Sequence, residues 1–356
     1  MYSSISACHY FAPPGPQGFM SVVAETILDT IGETPLVRLS QFGAKVDPTL
    51  HVKIESMNPG GSMKDRAARQ MIERAESEHG LKPGAKIIVA TSGNMGVGMA
   101  MVCAVKKFQL YCLVDPKISP ATEKCLELYG AQLIKVYQRD KTGGYHLTRL
   151  EMVEVLKKKY PDAIYLDQYD SPANMDAHYS STGPEMYATL DGNIRAILVV
   201  AGTGGSSMGV ARYIKEVSPE TDIWLVDEYG SIALPGNGGA GVRFLNGMGT
   251  SIEPTNYKRA KFEQLVDRVV YVKAAESIGA AVDLARSEGI LAGGTSGAVL
   301  HVMRDIAAKE YSRGDNLVAL LPDHGSRYAD TQFNEEWLTV RDIYVPTISD
   351  NPGIKK

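Results

Sequence analysis

Short apolar runs alternating with helix-patterned stretches constrain this chain more than any other feature. Residues 86–90 (Lys-Ile-Ile-Val-Ala), 110–114 and 133–136 read as strands, and the stretches 96–106 and 121–129 between them read as helices. A second series places strands near 163–166, 196–200, 223–226, 268–272 and 317–321. Strands that alternate with helices imply parallel sheets covered on both faces, which is a three-layer α/β/α architecture. Upstream, a helix is expected to open near Ala24, Gly32-Glu-Thr-Pro35 turns the chain into a strand at 36–39, and 50–54 is a further extended run. The helix over 67–76 carries Met71 and Ile72 at helical spacing, so that stripe belongs to a core. A glycine-rich stretch at 230–249 has no periodicity and reads as a long surface loop, a class often functional in compact domains.

At 356 residues and 44% hydrophobic content the chain has room for about two domains of ~150 residues, each with its own core. A net charge of -4 leaves no basic surplus for nucleic acid or an anionic membrane, so chemistry on small molecules is favoured. No apolar run reaches the ~18 residues needed to cross a bilayer. The first residues lack both a basic region and a long apolar segment, so no secretory signal is read and a cytoplasmic location is expected. Residues 1–21 read as a disordered tail. Cys8, Cys103, Cys112 and Cys125 have no Cys-x-x-Cys spacing and read as free thiols, and Cys8-His9 alone is too small a ligand set for a metal.

Four loops carry residues suited to chemistry. In Asn58-Pro-Gly-Gly-Ser-Met-Lys-Asp-Arg66 a tight turn leads into a helix with Ser62 as its cap, which puts Lys64 in the first turn. The partial positive charge of a helix start disfavours an ammonium there, and a neutral lysine can form a Schiff base. The plainer alternative is a set of surface charges opening an amphipathic helix. Thr91-Ser-Gly-Asn-Met-Gly96 lies between a strand and a helix, where hydroxyls, amide and N–H groups could hold a carboxylate. Ala201-Gly-Thr-Gly-Gly-Ser-Ser207 follows a strand and makes a nest for a phosphate. A nicotinamide dehydrogenase competes here, since Gly202-x-Gly204 with Asp227 approaches a dinucleotide fingerprint; against it, the third glycine position holds Ser207 and Lys64 has no task. Gly293-Gly-Thr-Ser-Gly297 is the fourth loop, and its hydroxyls could equally cap a helix.

Taken together and in this order, the four loops resemble the cysteine synthase and cystathionine beta-synthase family of pyridoxal-phosphate enzymes, across residues 25 to 340. Leu321-Pro-Asp-His-Gly-Ser-Arg-Tyr328 resembles that family's closing motif. The resemblance implies a fold-type II architecture like the tryptophan synthase beta subunit. Its larger, cofactor-phosphate domain would span 22–57 plus 165–340, its smaller mobile substrate domain 58–164, and a C-terminal tail 341–356, with no regulatory domain appended. It implies pyridoxal 5'-phosphate as cofactor, Lys64 as the Schiff-base and proton-transfer residue, Asn94 at the ring oxygen and Gly202, Thr203, Gly204, Gly205 and Ser206 around the phosphate. Thr295 would face the pyridine nitrogen; a neutral hydroxyl there weakens the electron sink, which suits β-elimination and addition through an aminoacrylate. Thr91, Ser92, Met95 and Gln168 would bind the substrate carboxylate, and a homodimer is implied.

Asp115-Pro-Lys-Ile-Ser-Pro120, Gly143-Gly-Tyr-His-Leu-Thr-Arg149 and Asp167-Gln-Tyr169 most resemble one branch of the family, the N-(2-amino-2-carboxyethyl)-L-glutamate synthases. That branch implies O-phospho-L-serine and L-glutamate as substrates and a place in 2,3-diaminopropionate supply for siderophores such as staphyloferrin B or for peptide antibiotics. Anionic substrates call for cations, with Arg149, Lys117 and Arg327 as candidates and Tyr169 beside them. Gly202 departs from the serine expected in that branch and matches sulfhydrylases, which keeps sulfide, thiosulfate or homocysteine as alternative nucleophiles.

Overall fold

The computed structural model describes residues 23–141, 143–234, 239 and 241–346. The expected tail at 1–21, Cys8-His9 and most of 341–356 lie outside these. In chain order the regular elements are β1 (Leu36–Arg38), β2 (Thr49–Ile54), α1 (Lys64–His79), β3 (Lys86–Ala90), α2 (Asn94–Lys106), β4 (Gln109–Val114), α3 (Pro120–Leu128), β5 (Gln132–Lys135), α4 (His146–Lys159) and β6 (Ile164–Tyr165). There follow α5 (Pro172–Ala177), a π-helical turn (His178–Thr182), α6 (Gly183–Thr189), β7 (Ala196–Val200), α7 (Gly205–Val217), β8 (Asp222–Glu228), α8 (Thr255–Ala260), β9 (Arg268–Val272), α9 (Ala274–Glu288), α10 (Gly294–His301), β10 (Asn316–Leu321) and α11 (Glu335–Thr339).

Two sheets result. Six strands run in the order β1-β2-β10-β7-β8-β9 and four in the order β5-β4-β3-β6, and every pairing but β1 with β2 is parallel. Ala196-Ile-Leu-Val-Val200 is buried along its whole length, as a central parallel strand under helices on both faces requires. The smaller sheet has its own core, in which Ile87, Val89, Leu110 and Val114 pack with Met71, Ile72 and Val97 from α1 and α2.

Two expectations change and a third is refined. The strand near 163–166 does not open the second series, because Ile164 and Tyr165 pair with Ile87 and Ile88 in the four-stranded sheet. The helix expected from Ala24 is a single 3-10 turn, Ile27–Thr30, started by a Thr26–Asp29 capping box. The glycine-rich stretch at 230–249 is a loop in its described residues, but a partly packed one: Gly239, Gly241 and Val242 are exposed, while Leu234, Leu245 and Met248 are buried and the Gly249 N–H donates to the Ala201 carbonyl at 2.8 Å.

The start of α1 is fastened to the larger sheet by charge. Arg66 is enclosed by Glu55 at the end of β2 and by Glu185 on α6, at 2.7 Å and 2.5 Å, and Lys53 of β2 reaches the same Glu185 at 2.6 Å. The helix thus packs its length on the smaller sheet's core while its first turn is held by Glu55 and Glu185.

Candidate active site

All four motif loops end on helix N-termini. Lys64, Asn94, Gly205 and Gly294 are the first residues of α1, α2, α7 and α10, so each loop presents free backbone N–H groups at a helix start. The N-cap of α1 is Met63, one residue later than the sequence suggested, and it has no side-chain cap; the Ser62 hydroxyl still accepts the Lys64 N–H at 3.2 Å. Lys64 remains partly accessible. Desolvation lowers its pKa to about 8, against the opposing pull of the Asp323 carboxylate. Burial, more than the helix start, is therefore the cause of its shift.

Asn94 is held from two sides. Its Nδ2 donates to Asp323 Oδ2 at 2.6 Å, and its Oδ1 accepts from Arg327 Nη1 at 2.7 Å. Arg327 also donates to the Gly60 carbonyl. Its guanidinium is thereby committed to bracing two loops, which corrects its candidacy as an open cation for a substrate. Lys117 is exposed, with its backbone N–H on Asp115, so its side chain is a solvated charge.

Arg149 behaves otherwise. From α4 its Nη1 reaches Ser92 Oγ at 3.2 Å and Asp115 Oδ2 at 3.1 Å, with the side chain about a tenth exposed. Ser92 in turn donates to Asp115 at 2.9 Å and accepts the Asp115 N–H at 2.9 Å. Thr91 and Met95 are buried on either side of this loop. Tyr169 stacks edge-on against His146, one turn before Arg149, with ring centroids 4.9 Å apart. Burial raises the Tyr169 hydroxyl pKa and pushes the His146 imidazole down to about 4, so both rings are neutral near pH 7.

Gln168 connects this cluster to the phosphate loop through its backbone, its carbonyl accepting from the side-chain amides of Asn174 (2.8 Å) and Asn256 (3.2 Å). Asn174 also donates to Thr203 Oγ1 at 3.1 Å, Asn256 to the Thr203 carbonyl at 2.9 Å, and the Gly202 N–H to Tyr257 Oη at 3.1 Å. Gly204 takes φ +82°, which aims the first N–H groups of the 13-residue α7 at one point, and Ser206 adds a hydroxyl. Among the described residues of this loop none is acidic, as an anion site requires. Thr295 is buried at the first turn of α10.

The dinucleotide alternative finds no support in this geometry. Asp227 is fully buried, with Oδ1 accepting the Glu228 N–H at 2.8 Å, and desolvation raises its pKa to about 6. It is not placed to meet a ribose. Sequence reasoning missed Asn174, Asn256 and Tyr257, which carry no local signal, and passed over Asp115 and Asp323 inside motifs that it had quoted.

A family model described as pyridoxal-phosphate dependent enzyme matches residues 27–323. The N-(2-amino-2-carboxyethyl)-L-glutamate synthase of Ralstonia nicotianae is 36% identical over 317 residues, covering 89% of this chain and 92% of that one. A hydrogen sulfide-producing enzyme from Fusobacterium nucleatum superposes with TM-score 0.79 at 31% identity, covering 86% of this chain and all of its own. O-ureido-L-serine synthase superposes with TM-score 0.79 at 30% identity, covering 89% of this chain and all of its own.

Proposed function

Because the chain belongs to the family of pyridoxal-phosphate-dependent enzymes, we propose that it carries out β-replacement on O-phospho-L-serine with L-glutamate, giving N-(2-amino-2-carboxyethyl)-L-glutamate and phosphate. The observation that supports the choice of substrates is Arg149, a shielded guanidinium whose Nη1 is shared between the Ser92 hydroxyl and the Asp115 carboxylate, so that an anionic substrate group at Ser92 would be met by the remaining N–H groups in exchange for part of the Asp115 pair.

The residues present fit the cofactor. Gly202, Thr203, Gly204, Gly205 and Ser206 would hold its phosphate on the α7 N-terminus, Asn94 would hold the ring oxygen through its remaining N–H, and Thr295 would offer the ring nitrogen a neutral hydroxyl. When bound, pyridoxal 5'-phosphate supplies an aldehyde for amine capture and a sink for carbanion charge. Lys64 Nζ exchanges protons at the substrate Cα, and its pKa of about 8 suits it to both halves of that exchange near neutral pH. Thr91, Ser92, Met95 and Gln168 orient the substrate carboxylate, with Arg149 and Tyr169 beside it. Movement of a smaller domain, 58–164, against 22–57 plus 165–340 would exclude water.

Gly205 offers a direct check on the phosphate cradle. A Cβ there would lie 2.1 Å from Oδ1 of the fully buried Asn174, whose amide must then shift. Gly205→Ala is expected to dislodge the amide that holds Thr203 and Gln168, weakening pyridoxal-phosphate affinity about tenfold or more in a fluorescence titration of the stripped protein. Unchanged affinity would remove the cofactor phosphate from this loop.

Gly202 favours a second reading, with a sulfur nucleophile. A Cβ at this position would stand 3.3 Å from the Gly247 carbonyl, so the loop at 247 is closed down on a residue without a side chain. O-phospho-L-serine should be offered with glutamate, sulfide, thiosulfate and homocysteine in turn, with phosphate release and product mass followed. Turnover with glutamate is the expected result; turnover with sulfide alone would transfer the assignment to cysteine synthesis. A homodimer in the cytoplasm, serving 2,3-diaminopropionate supply for a siderophore or antibiotic, completes the proposal. Among the described residues no helix is long and apolar enough to cross a membrane.

A further inference from the structure

We propose that Asp323 is a positioning residue that fixes the orientation of the Asn94 amide and serves as counter-ion to Lys64. The inference rests on the functional reading above for what Lys64 does, though its contacts stand without it.

Asp323 follows β10 and is stitched by its backbone between two of the motif loops. It forms an antiparallel bridge with Ser62, the Met63 N–H donates to the neighbouring Pro322 carbonyl at 2.9 Å, and the Gly293 N–H donates to the Asp323 carbonyl at 3.2 Å. Its side chain is 2% exposed. Oδ2 accepts from Asn94 Nδ2 at 2.6 Å and from the Tyr328 hydroxyl. Oδ1 is buried with no partner, and it stands where only glycine can follow: a Cβ on Gly293 would lie 2.3 Å from it. The chain therefore keeps space at the start of α10 for a carboxylate oxygen.

Two consequences follow from the chemistry of these partners. A carboxylate only accepts and a guanidinium only donates, so Asp323 on one side of Asn94 and Arg327 on the other admit a single amide orientation. A flipped Asn94 would set oxygen against carboxylate and N–H against guanidinium. The second consequence concerns charge. The titratable groups facing Asp323 are Lys64, Arg327 and Tyr328; those facing Lys64 are Asp323 and the buried His178, which burial and the neighbouring cations keep neutral. Burial raises the Asp323 pKa and its Tyr328, Asn94 and Arg327 neighbours pull it back; the bridge to Ser62 sets this carboxyl two residues from Lys64, where its charge opposes the desolvation of the amine. Without it the amine would lose its proton at a lower pH.

Asp323→Asn keeps the shape and an acceptor for Asn94 while removing the charge. In the full-length chain freed of cofactor, competitive acetylation of Lys64 across pH, read by mass spectrometry of its peptide, should show a midpoint lower by roughly one unit. A midpoint equal to that of the wild type overturns the proposal. Should the variant fail to fold, the reciprocal measurement decides: Lys64→Ala must raise the Asp323 carboxyl titration, followed by carbon-13 NMR, and an unmoved titration overturns the proposal equally. Borohydride reduction of the wild-type enzyme identifies the lysine that binds the cofactor. If that is not Lys64, the functional reading fails while the coupling is still judged by the midpoints.

Discussion

Lys64→Ala is expected to lower the β-replacement rate by at least about 10³-fold and to abolish the absorbance near ~410 nm that borohydride removes from the wild type. Two tasks disappear with one amine, the covalent hold on the cofactor and proton exchange at the substrate Cα, and each alone is worth on the order of 10²-fold or more. Stability should not fall with activity. The folded pKa of Lys64, about 8, lies below its ordinary value of 10.5. Unfolding then takes up a proton between those two values, so stability is lost as pH falls from about 10.5 towards 8, and the full cost persists below. Alanine removes that cost at neutral pH, and the melting temperature should stay within about 2 °C of the wild type or exceed it. Phosphate release from O-phospho-L-serine and a thermal melt at pH 7 check both halves. A rate within tenfold of the wild type would show that another group moves the proton.

Much of this was legible because the decisive signals are local. Ser62 beside Lys64 at a helix start, a strand and small residues around Gly202, and hydroxyls after Gly293 need no long-range information, and each loop stands where its pattern put it. What the sequence hid is long-range pairing. The two-residue β6 is apolar in a way that suits either sheet, and only its contact with β3 decides its membership. Arg327 looks like an available cation until Asn94, 233 residues away, is found against it. The direction of the Lys64 shift could be anticipated from its place on α1, but its main cause is protein mass brought by distant elements. Glycines at 230–249 suggested a surface loop, and the burial of Leu245 and Met248 within it carried no local signal.

Arg66 carries the largest expected effect on folding, and it too was unreadable, since Glu55 and Glu185 lie 11 and 119 residues from it. Its side chain is 2% exposed and Glu55 is fully buried, so the guanidinium satisfies a carboxylate that has no access to water. Burial works against the charge of Arg66, but the two glutamates outweigh it and hold the proton in place. For Glu185, burial acts to raise the pKa, and the Arg66 and Lys53 contacts overcome it and bring the carboxyl down to about 2. Arg66→Met should cost about 3–5 kcal/mol at pH 7, because the buried Glu55 then has no cation and Glu185 keeps only Lys53. It should appear as a lower urea midpoint. The pH dependence separates charge from packing. In the wild type Glu185 has a folded pKa below its ordinary 4.5, so its contribution is present above that value and lost as pH falls towards 2. In the variant Glu185, having lost Arg66, is relieved by protonation at a higher pH, and the gap between the two proteins should narrow from pH 7 to pH 4. A gap of equal size at both pH values would mean that the lost stability came from the packing of the arginine side chain, and that the ion pairs hold α1 no better than apolar contacts would.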